Sequence, residues 1–385
     1  MKKIKKILKV SRKVIKNSSL PNGAIIASDV NSLIYPKDVK WYGYVWPRDA
    51  SFISYAADLI GLHKIPRNFF RWCIDYAEDF LENGIFIANK YYPNGRVAGD
   101  FDFNLKISDL KSKKLIIFYR KQQKVKLFYY NFQPDETASV LWAIYEHSKF
   151  GDVTEFKELV QKSADGICKY WKKDHFIIPT YDIWEEHAAI PELKQVHTYS
   201  LAMCIKGLEC ASQLVTPKSR WKLTIKEMRR VLVKCYSKKL GYFVRTFGKK
   251  NDNMLDTAML GLVWPSEQFT ADDFRIVKTI RMIEKKNKVN GGLVRYQKDK
   301  YDGRIKNGDL VLDGGGSWPI LNFWMSIYFK LLDKRRKSLR YFNWVIENIE
   351  DYIPEQIKDK KVASIIPLTW SHAMFIVSGK FLNLF

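Results

Sequence analysis

Carboxylates next to tryptophan and tyrosine recur in several segments of this sequence. The segment YDIWEEH places Asp182, Glu185 and Glu186 within five residues, next to Trp184. Repulsion between charged carboxylates and desolvation by an indole ring both raise the pKa of a carboxyl group. A general acid that works at neutral pH needs such a raised pKa. The segment therefore predicts a general acid.

Other segments combine charged groups with aromatic rings. The segment WYGYVWPRDASF holds Tyr42, Trp46, Arg48 and Asp49. An Arg–Asp pair at a predicted helix start is either a surface ion pair of little energetic value or a fork of donors and acceptors for sugar hydroxyls. The run of rings beside it favours the second interpretation, because rings stack on the apolar faces of sugars. The same combination recurs in RYQKDKY, DYIPEQI and PLTWSHA, which contain Arg295, Tyr301, Glu355 and Trp370.

The composition indicates a protein with a sizeable hydrophobic core. The 385 residues are enough for one large domain or two ordinary ones, and 46% are hydrophobic against 28% charged. No run of 18 apolar residues occurs, so we expect no membrane span. The five cysteines form an odd set without a CxxC pair, which is typical of reduced thiols that are mostly buried as small hydrophobic residues. The sequence therefore predicts a folded cytoplasmic protein.

The net charge raises the question of a nucleic-acid partner. Lysine and arginine number 65 against 41 acidic residues, so 65 − 41 gives +24. Such a surplus attracts polyanions. However, the basic clusters at 2–16, 106–126 and 217–249 are separated in sequence, and no nucleic-acid-binding motif accompanies them. Lysines spread over solvated faces explain the charge better, and we expect no nucleic-acid partner.

Motifs for cofactors and metals are missing. The sequence contains no GxGxxG, no Walker loop, no GxSxG and no HExxH. The six histidines are scattered without the spacing of metal ligands. We therefore expect neither a cofactor nor a bound metal.

Hydrophobic periodicity predicts an all-α scaffold. The segment 4–16 places its apolar residues on one helical face and lacks the features of a signal peptide. We expect it to form a first structural helix rather than a membrane-surface helix. Residues 84–132 alternate and predict β-hairpins, with a tight turn at Asn94-Gly95. No linker rich in proline, glycine or serine divides the chain, so we expect a single domain over 1–385. Helical stretches are predicted near 4–16, 48–62, 66–83, 134–150, 153–173, 195–214, 217–236, 255–263, 270–286, 317–332, 335–350 and 369–381.

Taken in their order along the chain, the segments that combine charged groups with aromatic rings resemble the glucoamylase family of inverting glycosidases, glycoside hydrolase family 15. The likeness starts at NGAIIASD and continues through WPRD, QPDE, YDIWEEH, HTYS, RY…Y, PEQ and LTWSHA. It spans nearly the whole chain. The resemblance implies an (α/α)6 toroid, in which six outer helices surround six inner ones and the site lies at one end of the inner ring.

The resemblance also implies an activity and roles for individual residues. Glu185 would be the general acid and Glu355 the general base of an inverting, exo-acting hydrolase. This enzyme would release β-glucose from the non-reducing ends of maltooligosaccharides, starch or glycogen. The other matching residues would hold the terminal glucose or its neighbour, or line the pocket: Tyr42, Trp46, Arg48, Asp49, Trp184, Glu186, Arg295, Tyr301 and Trp370.

Inversion needs one protonated and one ionised carboxyl group, about 6.5–9.5 Å apart. Glu185 lies next to other acids and a tryptophan, so it should keep its proton. Glu355 follows Pro354 at a distance in sequence from that cluster, so it should stay ionised. Two environments that push two pKa values apart fit this division of roles.

Two alternatives to this activity stay open. A trehalase or an isomaltose- or dextran-specific enzyme of the same family would use the same two carboxylates. A non-catalytic carbohydrate-binding toroid is the alternative from another class of protein. The presence of both Glu185 and Glu355 argues against it, because a pure binder needs no acid and no base.

The sequence departs from the family in two places. Prokaryotic relatives commonly carry an N-terminal β-sandwich, for which this chain has no room before NGAIIASD. The toroid therefore either stands alone or associates with a second copy or another chain. The region 99–131 is long and rich in lysine, and it lacks the tryptophan expected before QPDE, where Tyr129, Tyr130 or Phe132 would stand in. Because this loop borders the substrate entrance in the family, it bears on the preferred chain length.

Overall fold

Helices dominate the structure. The computed structural model of the chain describes residues 2–78, 80, 84–98, 131–359, 361–362 and 364–385. The all-α class expected from periodicity is confirmed in these ranges. The α-helices are α1 (Lys2–Ser18), α2 (Pro47–Leu59), α3 (Lys64–Asp75), α4 (Pro134–His147), α5 (Lys157–Tyr170), α6 (Thr198–Leu214), α7 (Ser219–Lys234), α8 (Phe274–Lys286), α9 (Pro319–Leu331), α10 (Arg335–Glu347) and α11 (Thr369–Phe381).

The strands are short and lie between the helices. Each described strand has two residues and pairs antiparallel with one partner, so the described part of the chain contains no larger sheet. The paired strands are Trp171–Lys172 with His175–Phe176, Thr180–Tyr181 with Ala188–Ala189, Val196–His197 with Thr246–Phe247, Tyr236–Ser237 with Tyr242–Phe243, Lys288–Val289 with Gly292–Leu293, Ile305–Lys306 with Asp309–Leu310, and Ile357–Lys358 with Lys361–Val362.

One predicted helix has a different geometry. The stretch 255–263 forms a 3-10 helix over Thr257–Leu262, and the Asp256 side chain caps it by accepting a hydrogen bond from the Ala258 N–H. Gly261 inside the segment and Pro265 just beyond it both disfavour a longer α-helix. The apolar pattern there reports burial rather than an α-helix.

The β-hairpin prediction for 84–132 can be compared with the structure only in part. Tyr91 and Val97 form an isolated antiparallel bridge, and the Gly95 N–H donates to the Tyr92 carbonyl over 2.8 Å. Gly95 has a φ of +86°, a value that suits glycine in a turn. The turn at Asn94-Gly95 is thus confirmed, whereas residues 99–130 lie outside the described residues.

The described residues form two compact units. Unit 1 comprises Met1–Val45, Asp49–Phe69 and Leu255–Phe385, and unit 2 comprises Trp46–Arg48 and Phe70–Met254. The single catalytic domain over 1–385 stays a prediction.

In unit 1 the N-terminal helix is part of the core. Helix α1 buries Ile7, Val14 and Ile15 and packs against α11. The Ser11 hydroxyl lies 2.8 Å from Nδ1 of His372 in α11. The interpretation of 4–16 as a structural helix is confirmed. Helix α9 packs against both α10 and α11.

In unit 2 helices α4 and α6 pack directly against each other. A Cβ added to Gly207 of α6 would lie 2.9 Å from the Cα of Ala138 in α4. Helices α5 and α7 also pack against α6. Because glycine has no side chain, the backbones of α4 and α6 can approach closely at this position.

Two further predictions concern burial and membranes. All five cysteines are buried, as expected for small apolar side chains. Within the described residues, no helix combines the length and the apolar character that crossing a membrane requires.

Candidate active site

Glu355 lies in a buried, hydrogen-bonded setting in unit 1. The residue is 2% exposed. The Tyr42 hydroxyl donates to one carboxylate oxygen over 2.8 Å, and the Ser364 hydroxyl donates a short hydrogen bond to the other. The Glu355 N–H donates to the Ile365 carbonyl over 2.8 Å, which fixes the backbone. Both oxygens are therefore oriented by hydroxyl groups.

Burial raises the pKa of Glu355 above its ordinary value, while the hydrogen bonds from Ser364 and Tyr42 and the charge of Arg295 oppose that rise. The expectation that Glu355 stays ionised did not take this burial into account, because it considered only Pro354 and Gln356, the neighbours of Glu355 along the chain. A carboxylate with a raised pKa is a stronger base once it is ionised.

Tyr42 connects Glu355 to a second tyrosine. Its hydroxyl oxygen lies 2.7 Å from that of Tyr301. Since Tyr42 gives its only proton to Glu355, Tyr301 donates to Tyr42. Burial, followed by the nearby charge of Glu355, raises the pKa of Tyr42, so its hydroxyl keeps the proton that it donates.

Arg295 is locked next to this pair. Two of its nitrogens donate to Asp299, each over 2.7 Å. The guanidinium carbon lies 5.0 Å from the ring centre of Tyr301 and 5.1 Å from that of Trp318. Asp299 was not among the predicted site residues, although the Arg–Asp spacing of four residues in RYQKDKY could have indicated the pair.

The segment that carries Glu355 is held by α11. The Ser371 hydroxyl donates to the Pro354 carbonyl over 2.8 Å, and the Ile353 N–H donates to His372 Nε2 over 3.0 Å. Burial lowers the pKa of His372 to about 3, so the ring is neutral and Nε2 can accept this proton. His372 therefore acts as a structural residue.

The two remaining predicted residues of unit 1 are also buried. Trp370 lies in the first turn of α11, with its ring centre 5.3 Å from Phe52 and 6.1 Å from Trp324. Asp49 lies in the first turn of α2. The first turns of α11 and α2 therefore determine the positions of Trp370 and Asp49.

Glu185 in unit 2 has an unusual backbone conformation. Its φ is +63°, in the left-handed region, which is uncommon for a residue other than glycine. The Glu185 N–H donates to the Asp182 carbonyl over 3.0 Å, and Trp46 Nε1 donates to the Glu185 carboxylate over 2.7 Å. Backbone strain of this kind concentrates at functional sites. The predicted residues Trp184 and Glu186 flank it, the first buried and the second half-buried.

The environment of Asp182 differs from the sequence interpretation, which treated this residue as a charge that repels Glu185. Its carboxylate is not an unpaired charge next to Glu185, because it accepts hydrogen bonds from the N–H groups of Glu186 and His187 at 2.9 and 3.1 Å. The His187 ring also contacts it at 3.1 Å. Burial would raise the pKa of Asp182, but His187 and Arg245 outweigh it and hold the pKa well below its ordinary value. Asp182 is a charged residue that shapes the turn.

Arg48 belongs to a buried ionic cluster. It is 2% exposed, and its Nη1 lies 2.7 Å from the Gln133 side-chain oxygen and 3.0 Å from both Asp135 and Glu136. Gln133 in turn donates to the carbonyl of Asp182, so it joins Arg48 to the segment YDIWEEH. Two carboxylates with one guanidinium fix the position of this arginine.

Sequence reasoning missed Gln133, Asp135 and Glu136 as site residues. The motif QPDE was part of the family resemblance and was the signal that could have found them. Of the three proposed substitutes for the missing tryptophan, Phe132 is buried with its ring centre 6.1 Å from Tyr170. Tyr129 and Tyr130 lie outside the described residues.

Comparison with known sequences finds glycosidases. The chain is 29% identical over 361 residues to an uncharacterised glycosyl hydrolase of Methanocaldococcus jannaschii, covering 87% of this chain and 50% of that protein. It is 23% identical over 321 residues to the trehalase of Mycobacterium tuberculosis, covering 79% and 43%. The chain thus spans about half the length of the curated relatives it matches.

Comparison with solved structures identifies the fold. A wild-type glycosidase matches with a TM-score of 0.73 and 18% identity, covering 99% of this chain and 97% of that chain. The glucoamylase of Saccharomycopsis fibuligera matches with a TM-score of 0.70 and 13% identity, covering 99% and 95%. At such identities the likeness shows the fold alone, and the predicted (α/α)6 class is confirmed.

The family follows from the sequence itself. The profile described as "Glycosyl hydrolases family 15" matches residues 9–342, which is most of the chain. The chain therefore belongs to glycoside hydrolase family 15.

Proposed function

We propose that the chain is an inverting, exo-acting α-glucoside hydrolase. It removes glucose from the non-reducing ends of maltooligosaccharides, starch or glycogen and releases the β-anomer. The observation that carries the proposal is that each proposed catalytic glutamate accepts a hydrogen bond from an aromatic residue of the segment WYGYVWPRDASF. Trp46 donates to Glu185, and Tyr42 donates to Glu355.

In the proposed reaction Glu185 protonates the glycosidic oxygen as the bond to the anomeric carbon breaks. Glu355 takes a proton from a water molecule, which attacks the opposite face of that carbon. Inversion of this type needs the two carboxyl groups about 6.5–9.5 Å apart. The raised pKa of Glu355 strengthens the base, and the hydroxyls of Tyr42 and Ser364 orient it.

The other site residues serve glucose binding in this proposal. Arg48 and Asp49 hold the terminal glucose, while Arg295 and Glu186 contact that unit or its neighbour. The fixed guanidinium groups support these roles, since a donor fork locked by carboxylates loses little entropy when it binds hydroxyls. A solved structure of a related glycosidase in complex with glucose supports glucose as the bound unit.

Trehalose is the second candidate substrate. Two relatives, from Mycobacterium tuberculosis and Mycolicibacterium smegmatis, are named trehalases and are each 23% identical to this chain. The same acid and base would cleave trehalose, because that bond also joins an anomeric carbon to an oxygen leaving group.

Replacing the proposed base tests the assignment. We expect Glu355→Gln to lower kcat for maltotriose by about 10²–10⁴-fold, the usual contribution of a general base. Because the amide keeps the shape of the side chain, glucose binding measured by calorimetry should stay within a few-fold of wild type. Activity equal to wild type would refute the role of Glu355. If the wild-type protein binds glucose but hydrolyses no α-glucoside, the non-catalytic toroid is the correct reading.

A further inference from the structure

We propose that Tyr35 is a positioning residue for the proposed base: its hydroxyl holds the backbone that carries Tyr42, and the Tyr42 hydroxyl in turn orients the Glu355 carboxylate. The proposal rests on the function proposed above. It gives a role to the segment 30–40, which lies between the motifs NGAIIASD and WYGYVWPRDASF and belongs to neither.

The Tyr35 hydroxyl bridges two peptide groups next to the site. It donates a short hydrogen bond to the Lys40 carbonyl and accepts one from the Tyr42 N–H over 3.0 Å. A phenolic hydroxyl can donate its proton and accept another at the same time, so both bonds are compatible. One oxygen atom therefore ties together the two peptide groups that flank Trp41.

The backbone of Tyr42 is held on both sides. Tyr35 accepts from its N–H, and the Ser28 N–H donates to its carbonyl over 3.0 Å. The side chain that leaves this backbone donates to Glu355 over 2.8 Å. A hydrogen bond to a reacting group is precise only when the residue that makes it is itself fixed.

The same segment is joined to the loop that carries the second tyrosine. The Lys40 N–H donates to the Gly303 carbonyl over 3.0 Å, and the Tyr301 hydroxyl oxygen lies 2.7 Å from that of Tyr42. Because Tyr35 binds the carbonyl of the same Lys40, it holds the peptide next to this pairing. Its two bonds therefore act on the chain of hydroxyl groups that ends at the base.

Tyr35 keeps its proton under the conditions in which the base works. Burial raises the pKa of Tyr35; the hydrogen bond from the Tyr42 N–H opposes this rise, and the nearby charge of Glu355 adds to it. A protonated hydroxyl can go on donating to the Lys40 carbonyl. The bridge is therefore present on both sides of the ionisation of Glu355.

The test is a double-mutant cycle of Tyr35→Phe and Tyr42→Phe, measured as kcat for maltotriose. Phenylalanine keeps the ring and its packing and removes only the hydroxyl. We expect Tyr35→Phe to lower kcat about 5- to 50-fold, the value of a buried N–H and carbonyl that lose their shared partner. In the Tyr42→Phe background the same change should alter kcat less than about twofold, because the hydroxyl that Tyr35 positions is gone.

The pH profile of kcat/KM provides the second measurement. A displaced Tyr42 hydroxyl opposes the effect of burial on Glu355 less, so the acid limb of Tyr35→Phe should move to higher pH. The other groups that favour the charged form of Glu355 are unchanged in this variant, namely Ser364, Arg295 and Gln356.

A purely structural role would give a different pattern. If Tyr35 only stabilises the fold, Tyr35→Phe melts at a lower temperature, loses the same factor of kcat in both backgrounds and keeps its acid limb in place, and the proposal is wrong. It is also wrong if Tyr35→Phe loses no activity. Tyr242→Phe is the matched control, because the Tyr242 hydroxyl also donates to a backbone carbonyl, that of Asn253, over 3.0 Å. The control should keep the kcat and the acid limb of wild type.

The effect on the base is also measured without hydrolysis. The glutamate carboxyl carbons are labelled with ¹³C, the signal of Glu355 is identified by its loss in Glu355→Gln, and its pKa is read from an NMR titration. This pKa should rise in Tyr35→Phe and stay in place in Tyr242→Phe, and an unchanged pKa in Tyr35→Phe would overturn the proposal. If wild type hydrolyses no α-glucoside, the proposed function fails, while this titration still decides the role of Tyr35.

Discussion

Each proposed catalytic glutamate depends on a residue far away in the sequence. The Tyr42–Glu355 hydrogen bond joins residues 313 positions apart, and the Trp46–Glu185 bond joins residues 139 positions apart. A donor on a carboxylate stabilises its charged form, whereas burial favours the neutral form. For Glu355 burial is the larger effect, so its pKa is raised.

This balance predicts the pH dependence of activity. Glu355 has to be ionised to act as base, so kcat/KM should rise with pH through its pKa, and the acid limb should lie above the pKa of an ordinary glutamate. Removing the Ser364 hydroxyl takes away a group that favours the carboxylate. We therefore expect Ser364→Ala to move the acid limb to higher pH, as measured from the pH profile of kcat/KM for maltotriose.

Ser371→Ala is the matched control for that measurement. Its hydroxyl donates to the Pro354 carbonyl and not to the Glu355 carboxylate. It should leave the acid limb in place. An acid limb that stays in place or moves to lower pH in Ser364→Ala would contradict the assigned base.

The sequence could identify candidate residues but not their partners. Reasoning from neighbours along the chain treated Asp182 as a charge that repels Glu185, whereas the turn directs its carboxylate to the N–H groups of Glu186 and His187. The ion pair of Arg48 with Asp135 could not be inferred either, because nothing local connects the two segments. Tertiary contacts determine these environments, and one sequence does not report them.

Hydrophobic periodicity predicted the helices well and the segments between them poorly. Eleven of the predicted stretches are α-helices in the described part of the chain, while Thr257–Leu262 is a 3-10 helix. A hydrophobic pattern reports which face is buried and does not distinguish the two hydrogen-bond spacings. Strands of two residues are too short to show an alternating pattern, so the short ribbons could not be predicted.

The contact between α4 and α6 yields a stability prediction. Alanine normally favours a helix over glycine. At Gly207, however, the new methyl group would lie 2.9 Å from the Cα of Ala138, which forces the helices apart. We expect Gly207→Ala to lower the free energy of unfolding by about 1–3 kcal/mol, the usual cost of overpacking, measured by urea denaturation.

Gly151→Ala provides the comparison for Gly207. A Cβ at Gly151 meets nothing within 4 Å, and its backbone does not require glycine. This variant should be as stable as wild type or slightly more stable. Equal stability of Gly207→Ala and wild type would show that the close approach of α4 and α6 is not rigid.

The net charge of +24 is the feature of the protein that the proposed function does not use. A neutral glucan gains little from a positive field, whereas any polyanion is attracted to it. The charge therefore predicts non-specific binding to nucleic acid at low salt and no role in hydrolysis.

Salt concentration should affect nucleic-acid binding and glucan hydrolysis differently. In a filter-binding titration, nucleic-acid affinity should fall steeply between 50 and 200 mM salt, by about 10³-fold or more if six or more phosphates are contacted. Over the same range kcat/KM for maltotriose should change less than about twofold, because the substrate carries no charge. A sequence-selective complex that survives high salt would instead indicate a nucleic-acid function.

The anomer of the released glucose distinguishes inversion from retention of configuration. The protein is incubated with maltose, maltotriose, isomaltose and trehalose, and fresh product is observed by proton NMR before it mutarotates. An acid at Glu185 and a base at Glu355 acting on opposite faces of the sugar predict β-glucose, and the substrate that yields it identifies the linkage. Fresh α-glucose from the non-reducing end of maltose, maltotriose or isomaltose would mean retention of configuration and would contradict this mechanism. For trehalose, whose leaving glucose unit is itself an α-anomer, inversion predicts α- and β-glucose in equal amounts, and α-glucose alone would contradict it.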